Sequence, residues 1–257
     1  MRLVTRSVND AERRIARPLA EQPRMNRERW RQRAQRASDA FGLVLLLILL
    51  TYILASVLSN GGWPAVLLTA VTGATSVVAL TSAHAKPVFV RRALTLALLA
   101  ILLALIGAIS GGRHWLSAAN FIEIGLLAVA MGAVLRRVVT SEAVSSRTIL
   151  GAISVYASLG ILFTWAYGLI DRIEGGGFFG ATANVEGSDF LFFSYTTLTT
   201  TGYGNLVPAG QVGRMISGLE MMLGQIFLVT LVAGLVSLWK PGQAFLRRRS
   251  ERSAEQP

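Results

Sequence analysis

The chain has 257 residues, of which 53% are hydrophobic and only 15% are charged. Because soluble domains carry about a quarter charged residues, this composition indicates a membrane protein. The chain has no cysteine, which excludes disulfides, thiolate catalysis and cysteine-ligated metal sites.

The first 40 residues are polar and hold 11 Lys and Arg residues, and no apolar stretch precedes Phe41. We therefore do not expect a cleaved signal peptide. Since residues 1–40 directly precede an apolar segment, we interpret them as a basic cytoplasmic segment that orients the chain and touches anionic lipid headgroups. A nucleic-acid-binding arm is the less favoured alternative. Residues 241–257 form a similar basic cytoplasmic tail.

Six apolar segments follow, and each is close to or above the ~20 residues that cross the hydrocarbon core as a helix. The second is the weakest, but its Thr, Ser and Gly residues suit close helix packing in lipid. We therefore predict an all-α membrane protein with six transmembrane helices. The segments are Phe41–Ser59, Pro64–Ser82, Val88–Ser110, Trp115–Leu135, Thr148–Ile170 and Val212–Trp239.

Basic residues alternate between the loops in a way that predicts orientation. Of the 25 Lys and Arg residues, 22 lie in residues 1–40, 83–92, 136–147 and 240–257. Only Arg113, Arg172 and Arg214 fall on the other side. Because basic flanks prefer the cytoplasm, we expect a multi-pass protein of the cell membrane with both termini cytoplasmic.

Residues 41–146 are predicted to form a four-helix transmembrane domain of unknown role. A voltage sensor needs arginines repeated along its fourth span, because gating energy scales with the charge moved through the field. The fourth apolar segment carries only Arg136 and Arg137, at its cytoplasmic end. Voltage sensing by this route is therefore not expected.

The segment "LFFSYTTLTTTGYGNLVPAG" lies between the fifth and sixth spans. Within it, Asp189–Thr199 is too short to span the membrane but suits a re-entrant half-helix, with Asp189 or Ser188 as N-cap. Non-helical backbone is tolerated at membrane depth only when it is buried in protein or lines a water-filled cavity. The half-helix and the glycine-containing loop after it therefore predict a pore lining.

The motif "TTTGYGN", Thr199 to Asn205, resembles the selectivity-filter signature of the potassium-channel pore-loop superfamily. The resemblance implies a pore domain over residues 147–240, made of outer helix, pore helix, filter and inner helix. It also implies that backbone carbonyls replace the hydration shell of K⁺, which is the transported ligand, with no organic cofactor. The implied ion-binding residues are Thr200, Thr201, Gly202, Tyr203 and Gly204. The K⁺ ligands themselves would be the carbonyls of Thr200, Thr201, Gly202 and Tyr203, with the Thr200 hydroxyl added.

The resemblance further implies that Tyr203 points away from the axis and is braced by Phe192, Phe193 and Tyr195 of the half-helix. Thr196 occupies a position where some members place a carboxylate behind the filter, so neutral hydrogen bonding is expected there. Asn205 stands where Asp is commonest, which removes a ring of four charges at the mouth.

In the sixth span, Gly224 lies twenty residues after Gly204, where family inner helices carry a hinge glycine. Close helix packing is the alternative role for this glycine. The polar Gln225 is expected to face a water-filled cavity below the filter. Leu228 and Val232 share its helical face and would form an apolar constriction.

These features favour a homotetrameric potassium-selective channel, since one loop supplies only one of four carbonyl sets. A less selective cation channel, or a transporter subunit with a related loop, is one alternative. A non-conducting receptor or scaffold that retains the fold is another. An enzyme is not expected, because we find no cofactor loop, metal-ligand cluster or nucleophile with a base.

Overall fold

The computed structural model describes residues 41–58, 62–141, 146–180 and 185–238. Within these ranges all regular structure is α-helical. The basic segments 1–40 and 241–257, and Trp239 at the end of the sixth predicted span, lie outside the described residues. The helices are α1 (Phe41–Val57), α2 (Gly62–Ser82), α3 (Pro87–Ser110), α4 (Arg113–Val139), α5 (Ser146–Ile173), α6 (Gly187–Leu198) and α7 (Gln211–Leu238).

Five of these helices, α2 to α5 and α7, are long and apolar enough to cross a membrane. The remaining apolar helix α1 is shorter within the described residues. The 12-residue α6 lies between α5 and α7 and is too short to span. The predicted all-α membrane fold, with a half-helix between the last two spans, is thus confirmed.

Local chemistry sets the ends of α3. Pro87 occupies the first helical position, where its missing N–H leaves no hydrogen bond unmade. Gly111 ends the helix in the left-handed conformation at φ 67°, and its N–H donates to the Gly107 carbonyl at 3.0 Å. A residue with a side chain would be strained there, because L-residues rarely adopt positive φ.

Small residues bring α2, α3 and α4 together. The buried face of α3 is a stripe of alanines at helical spacing that continues to Gly107. A Cβ added to Gly73 of α2 would lie 3.0 Å from Ala97 Cβ, and one added to Gly62 would lie 2.7 Å from Ala108 Cα. Such close approach maximises van der Waals contact where lipid provides no hydrophobic drive for helix association. The stripe comprises Ala93, Ala97, Ala100, Ala104 and Gly107.

Glu123 of α4 is only 1% exposed. The sequence allowed it to lie near the membrane interface or to pair with a neighbouring segment. Instead, its carboxylate packs inside the bundle, with Oε1 3.4 Å from the position a Cβ would take on Gly73. Neither carboxylate oxygen has a hydrogen-bond partner among the described residues.

Helices α5 and α7 flank α6 and pack against it on two sides. Helix α4 packs against α5 and so joins the four N-terminal helices to this part of the chain. The predicted domain boundary between residues 146 and 147 stays a prediction. We call the end of the bundle where α5 finishes and α7 begins the filter end.

Candidate ion-conduction site

Helix α6 begins earlier than predicted. Its N-cap is Glu186, whereas the sequence suggested Ser188 or Asp189. Asp189 lies at the third helical position, and its Oδ2 accepts a hydrogen bond from the backbone N–H of Glu186 at 2.9 Å. The carboxylate therefore stabilises the helix start by reaching back to the cap residue.

The chain leaves α6 after Leu198 and continues without helical structure through the Thr199–Asn205 motif. Three alternate residues of this segment have positive φ: Thr200 at 58°, Gly202 at 51° and Gly204 at 81°. Thr201 and Tyr203 between them do not. Residues of positive φ that alternate with residues of negative φ allow successive carbonyls to share one side of the chain.

The hydrogen bonds made by the N–H groups show on which side of the segment the carbonyls lie. The N–H groups of Thr201 and Gly202 both donate to the Thr196 carbonyl, at 2.8 and 3.2 Å. The N–H of Thr200 donates to the Thr197 carbonyl at 3.0 Å. Since N–H and C=O are opposed across a trans peptide, the carbonyls of residues 199–201 point away from α6. In a single chain they lie on its exposed side.

Threonine hydroxyls add a second layer of contacts. Thr199 Oγ1 donates to the Tyr195 carbonyl at 2.7 Å and lies 2.8 Å from Thr201 Oγ1. Thr201 can therefore donate to Thr199, which fixes the Thr201 side chain against α6. The Thr200 hydroxyl, expected as an inner ion ligand, donates instead to the Thr199 carbonyl at 2.7 Å.

The three aromatic residues expected around Tyr203 face different elements. Phe192 stacks on the Tyr203 ring with centroids 5.8 Å apart and 13° between planes. Phe193 packs edge-on against Tyr167 of α5. Tyr195 donates from its hydroxyl to the Ala157 carbonyl at 2.7 Å. Successive helix positions differ by about 100°, so of these three residues Phe192 alone stacks on Tyr203 within the chain.

Thr196 lies in α6 before the Thr199–Asn205 segment, and Asn205 is the last residue of that segment. Thr196 supports the filter through its backbone carbonyl, while its hydroxyl donates to the Phe193 carbonyl at 3.0 Å. The neutral hydrogen bonding expected behind the filter thus comes from the backbone rather than from this side chain. Asn205 is exposed just beyond Gly204.

Glu220 of α7 is fully buried and ties three helices together. Its Oε2 accepts from the Tyr167 hydroxyl of α5 at 2.5 Å, and its Oε1 accepts from the Ser194 hydroxyl of α6 at 2.6 Å. Ser194 Oγ also lies 2.8 Å from the Gly160 carbonyl. The carboxyl group therefore connects inner helix, pore helix and outer helix at one point.

Gly224 lies against the last residue of α6. A Cβ at this position would be only 2.3 Å from the Leu198 carbonyl oxygen. The same oxygen is 3.3 Å from the Tyr156 hydroxyl of α5. Helix α7 runs through Gly224 without a break, so close packing is the role that the structure shows, and the hinge stays a prediction.

The residues predicted to line a cavity follow Gly224 along α7. Gln225 and Leu228 are both exposed in the single chain. Their exposure is compatible with a surface facing a pore, lipid or other subunits. The side chain of Val232 is outside the described residues.

The loop between α5 and α6 holds residues that the sequence did not single out. Phe178 is 2% exposed and packs against Tyr167, Phe190 and Phe193. Its carbonyl accepts from the N–H of Ala209, after the filter, at 2.8 Å. The signal was the pattern "GGGFFG", where glycines with φ of 83 to 98° fold an aromatic pair inwards. Phe178 therefore joins the loop between α5 and α6, α6 itself and the segment that follows Asn205.

Residues 153–239 match the model of an ion channel family. The match covers α5 from its eighth residue, the loop, α6, the filter segment and α7. This part of the chain is an ion channel domain of the pore-loop type, and the protein is a multi-pass membrane protein that carries it. No curated protein and no solved structure is significantly similar to the chain.

Proposed function

We propose that the protein is a potassium-selective channel in which four copies of the chain surround one pore. The observation that carries this proposal is the backbone of Thr199–Asn205, with positive φ at every second residue from Thr200 to Gly204 and with the N–H groups of Thr199 to Gly202 turned towards α6. Carbonyls aligned in this way can replace the water around a dehydrated cation.

Four chains are needed because one segment supplies only one side of a coordination cage. All seven residues from 199 to 205 are exposed in the single chain. Non-helical backbone in a membrane must be covered by protein or face water. Cyclic symmetry around the filter meets both needs and creates the ion path. With this arrangement the filter end faces outwards and both termini are cytoplasmic.

Selective conduction then depends on the filter holding its shape. The hydrogen bonds from Thr201 and Gly202 to the Thr196 carbonyl anchor the filter to α6, and Phe192 supports Tyr203 from the side. Potassium ions would pass between adjacent carbonyl sites, bound weakly enough at each to move on. Ions move down their gradient, and no covalent step is involved.

Ion flux into liposomes that hold the purified protein tests this proposal. We expect K⁺ uptake that barium blocks and no Na⁺ uptake. Equal K⁺ and Na⁺ uptake would indicate a less selective cation channel. A lack of flux from assembled protein would indicate a non-conducting relative that retains the fold.

The variant Gly202→Ala should abolish selective flux, because alanine at φ 51° is strained and the filter carbonyls would turn. Gly176→Ala is the matched control, since Gly176 also has positive φ, at 98°, but lies in the loop before α6. Both added Cβ atoms have no neighbour within 4 Å in the chain. Selective flux that survives Gly202→Ala would contradict the proposed role of this segment.

A further inference from the structure

A cavity of about 460 Å³ lies where the helices α1 to α4 meet α5 and α6. Ligand sites typically have volumes of about 300 to 1,000 Å³. One continuous face of α5 forms a wall of the cavity, at helical spacings of three and four residues. These wall residues are Ile161, Thr164, Trp165, Gly168, Asp171 and Arg172.

The depth of the cavity matches one leaflet of a bilayer. From Arg172 to Ile161 the wall descends eleven residues, or about 16 Å at 1.5 Å per residue. The hydrocarbon core is about 30 Å thick. The cavity therefore runs from the filter end of the bundle to about the middle of the membrane.

The cavity lining is charged at the filter end and mainly apolar further down. Asp171 and Arg172 line the upper end, where Arg172 Nη1 lies 2.5 Å from the side chain of Asn120, whose amide oxygen can accept from it. Below them, the walls are mainly apolar and include Leu191 of α6. The hydroxyls of Thr51 and Thr164 in this lower part both donate to backbone carbonyls of their own helices.

We propose that the cavity binds one phospholipid, with an acyl chain between α1, α2 and α5 and the phosphate at Arg172. The charged side chains of Asp171 and Arg172 at one end and an apolar interior one leaflet deep fit an amphipathic molecule as long as one leaflet.

Such a lipid would touch the pore helix. Phe190 and Leu191 line the cavity and are 7% and 2% exposed within the chain. The lipid would thus support α6 from the side opposite the filter. This gives the four N-terminal helices a role, since α1 and α2 complete the site.

Native mass spectrometry of the protein in mild detergent, titrated with phosphatidylglycerol, tests the proposal. We expect retention of one lipid per chain by the native protein and loss in Gly168→Leu. Gly168 lines the cavity, and an added Cβ meets nothing within 4 Å, so we expect a leucine side chain there to occupy cavity space. Gly125→Leu is the matched control: it is equally open but lies on α4 away from the cavity, and we expect retention as in the native protein.

A further variant tests the polar end of the cavity. Arg172→Gln should weaken phosphatidylglycerol binding about fivefold, the effect of one basic residue on an anionic lipid, while leaving diacylglycerol binding unchanged. Circular dichroism melting checks that each variant is folded.

Equal lipid retention by native protein and a folded Gly168→Leu would overturn the proposal, as would a preference for single-chain fatty acids over phosphatidylglycerol. These measurements do not use ion flux. A negative flux experiment therefore leaves the lipid site standing, and loss of the lipid site leaves the proposed conduction untouched.

Discussion

Thr200 holds a backbone conformation that residues other than glycine seldom adopt. Its φ of 58° costs on the order of 1–3 kcal/mol. The surrounding hydrogen bonds offset this cost, since the Thr200 N–H donates to Thr197 and the next two N–H groups donate to Thr196. Strain of this kind persists where a segment must keep one shape for its function, and here it lies in the segment proposed to bind the ion.

Glu220 shows how a single buried side chain can hold the frame around that segment. We expect Glu220→Ala to lower the free energy of unfolding by about 1–3 kcal/mol, because the Tyr167 hydroxyl loses its acceptor. Tyr167→Phe should cost less, and the double variant should cost less than the sum of the two. Thermal unfolding of the purified protein in detergent measures these differences.

Tyr52→Phe is the control for this cycle, since the Tyr52 ring packs on Tyr195 and not on Glu220. Its effect should add to that of Glu220→Ala within about 0.5 kcal/mol. Full additivity of Glu220→Ala and Tyr167→Phe would show that their 2.5 Å contact contributes no stability.

At the scale of elements, α6 depends on glycines of the helices beside it. A Cβ on Gly160 of α5 would lie 2.7 Å from the Tyr195 ring, and one on Gly224 of α7 would lie 2.3 Å from the Leu198 carbonyl oxygen. Both contacts let a spanning helix approach the pore helix closely. A change at the α7 contact would displace the residue that directly precedes the filter.

We therefore expect Gly224→Ala to reduce stability by about 1–3 kcal/mol, the usual cost of overpacking, and to reduce ion flux as well. The backbone oxygen of Leu198 cannot move without shifting Thr199 and the filter. Unfolding in detergent and flux into liposomes measure the two effects.

Gly218→Ala on the same helix is the matched control, because its added Cβ meets nothing within 4 Å in the chain. It should not reduce stability, since alanine is the better helix former by about 1 kcal/mol. If Gly224→Ala matched this control in both measurements, the tight contact with Leu198 would contribute neither to stability nor to ion flux.

Some of these elements could be predicted from the sequence, and others could not. The apolar segments and the glycine-threonine motif have strong one-dimensional patterns, so the spans and the position of the half-helix could be predicted. The start of α6 was missed, because the cap at Glu186 depends on a carboxylate three residues later. The burial of Phe178 was missed as well, since its partners Tyr167 and Phe193 come from separate helices.

At the scale of the whole molecule, burial is unequal between the two helices that flank α6. The most apolar part of α5 is 56% buried within the chain, whereas that of α7 is 22% buried. Lipid can cover the apolar side chains of α7, but it cannot satisfy the polar backbone of Thr199–Asn205. The surface that includes α7 and the filter segment therefore requires protein or water next to it, while the outer helices can face lipid.

Together with the proposed pore, in which four segments surround the ion, this need for protein or water beside the filter segment predicts a tetramer. Four chains of 27.6 kDa amount to about 110 kDa, and light scattering coupled to size exclusion in mild detergent should give this protein mass after correction for detergent. Dissociation in SDS to a single 27.6 kDa species is the control for covalent aggregation. A folded monomer that conducts K⁺ selectively would contradict the assembly, because its exposed filter would offer an ion carbonyls from one side only. A dimer would leave the cage equally incomplete, since two segments cannot surround a dehydrated ion whose water must be replaced on all sides.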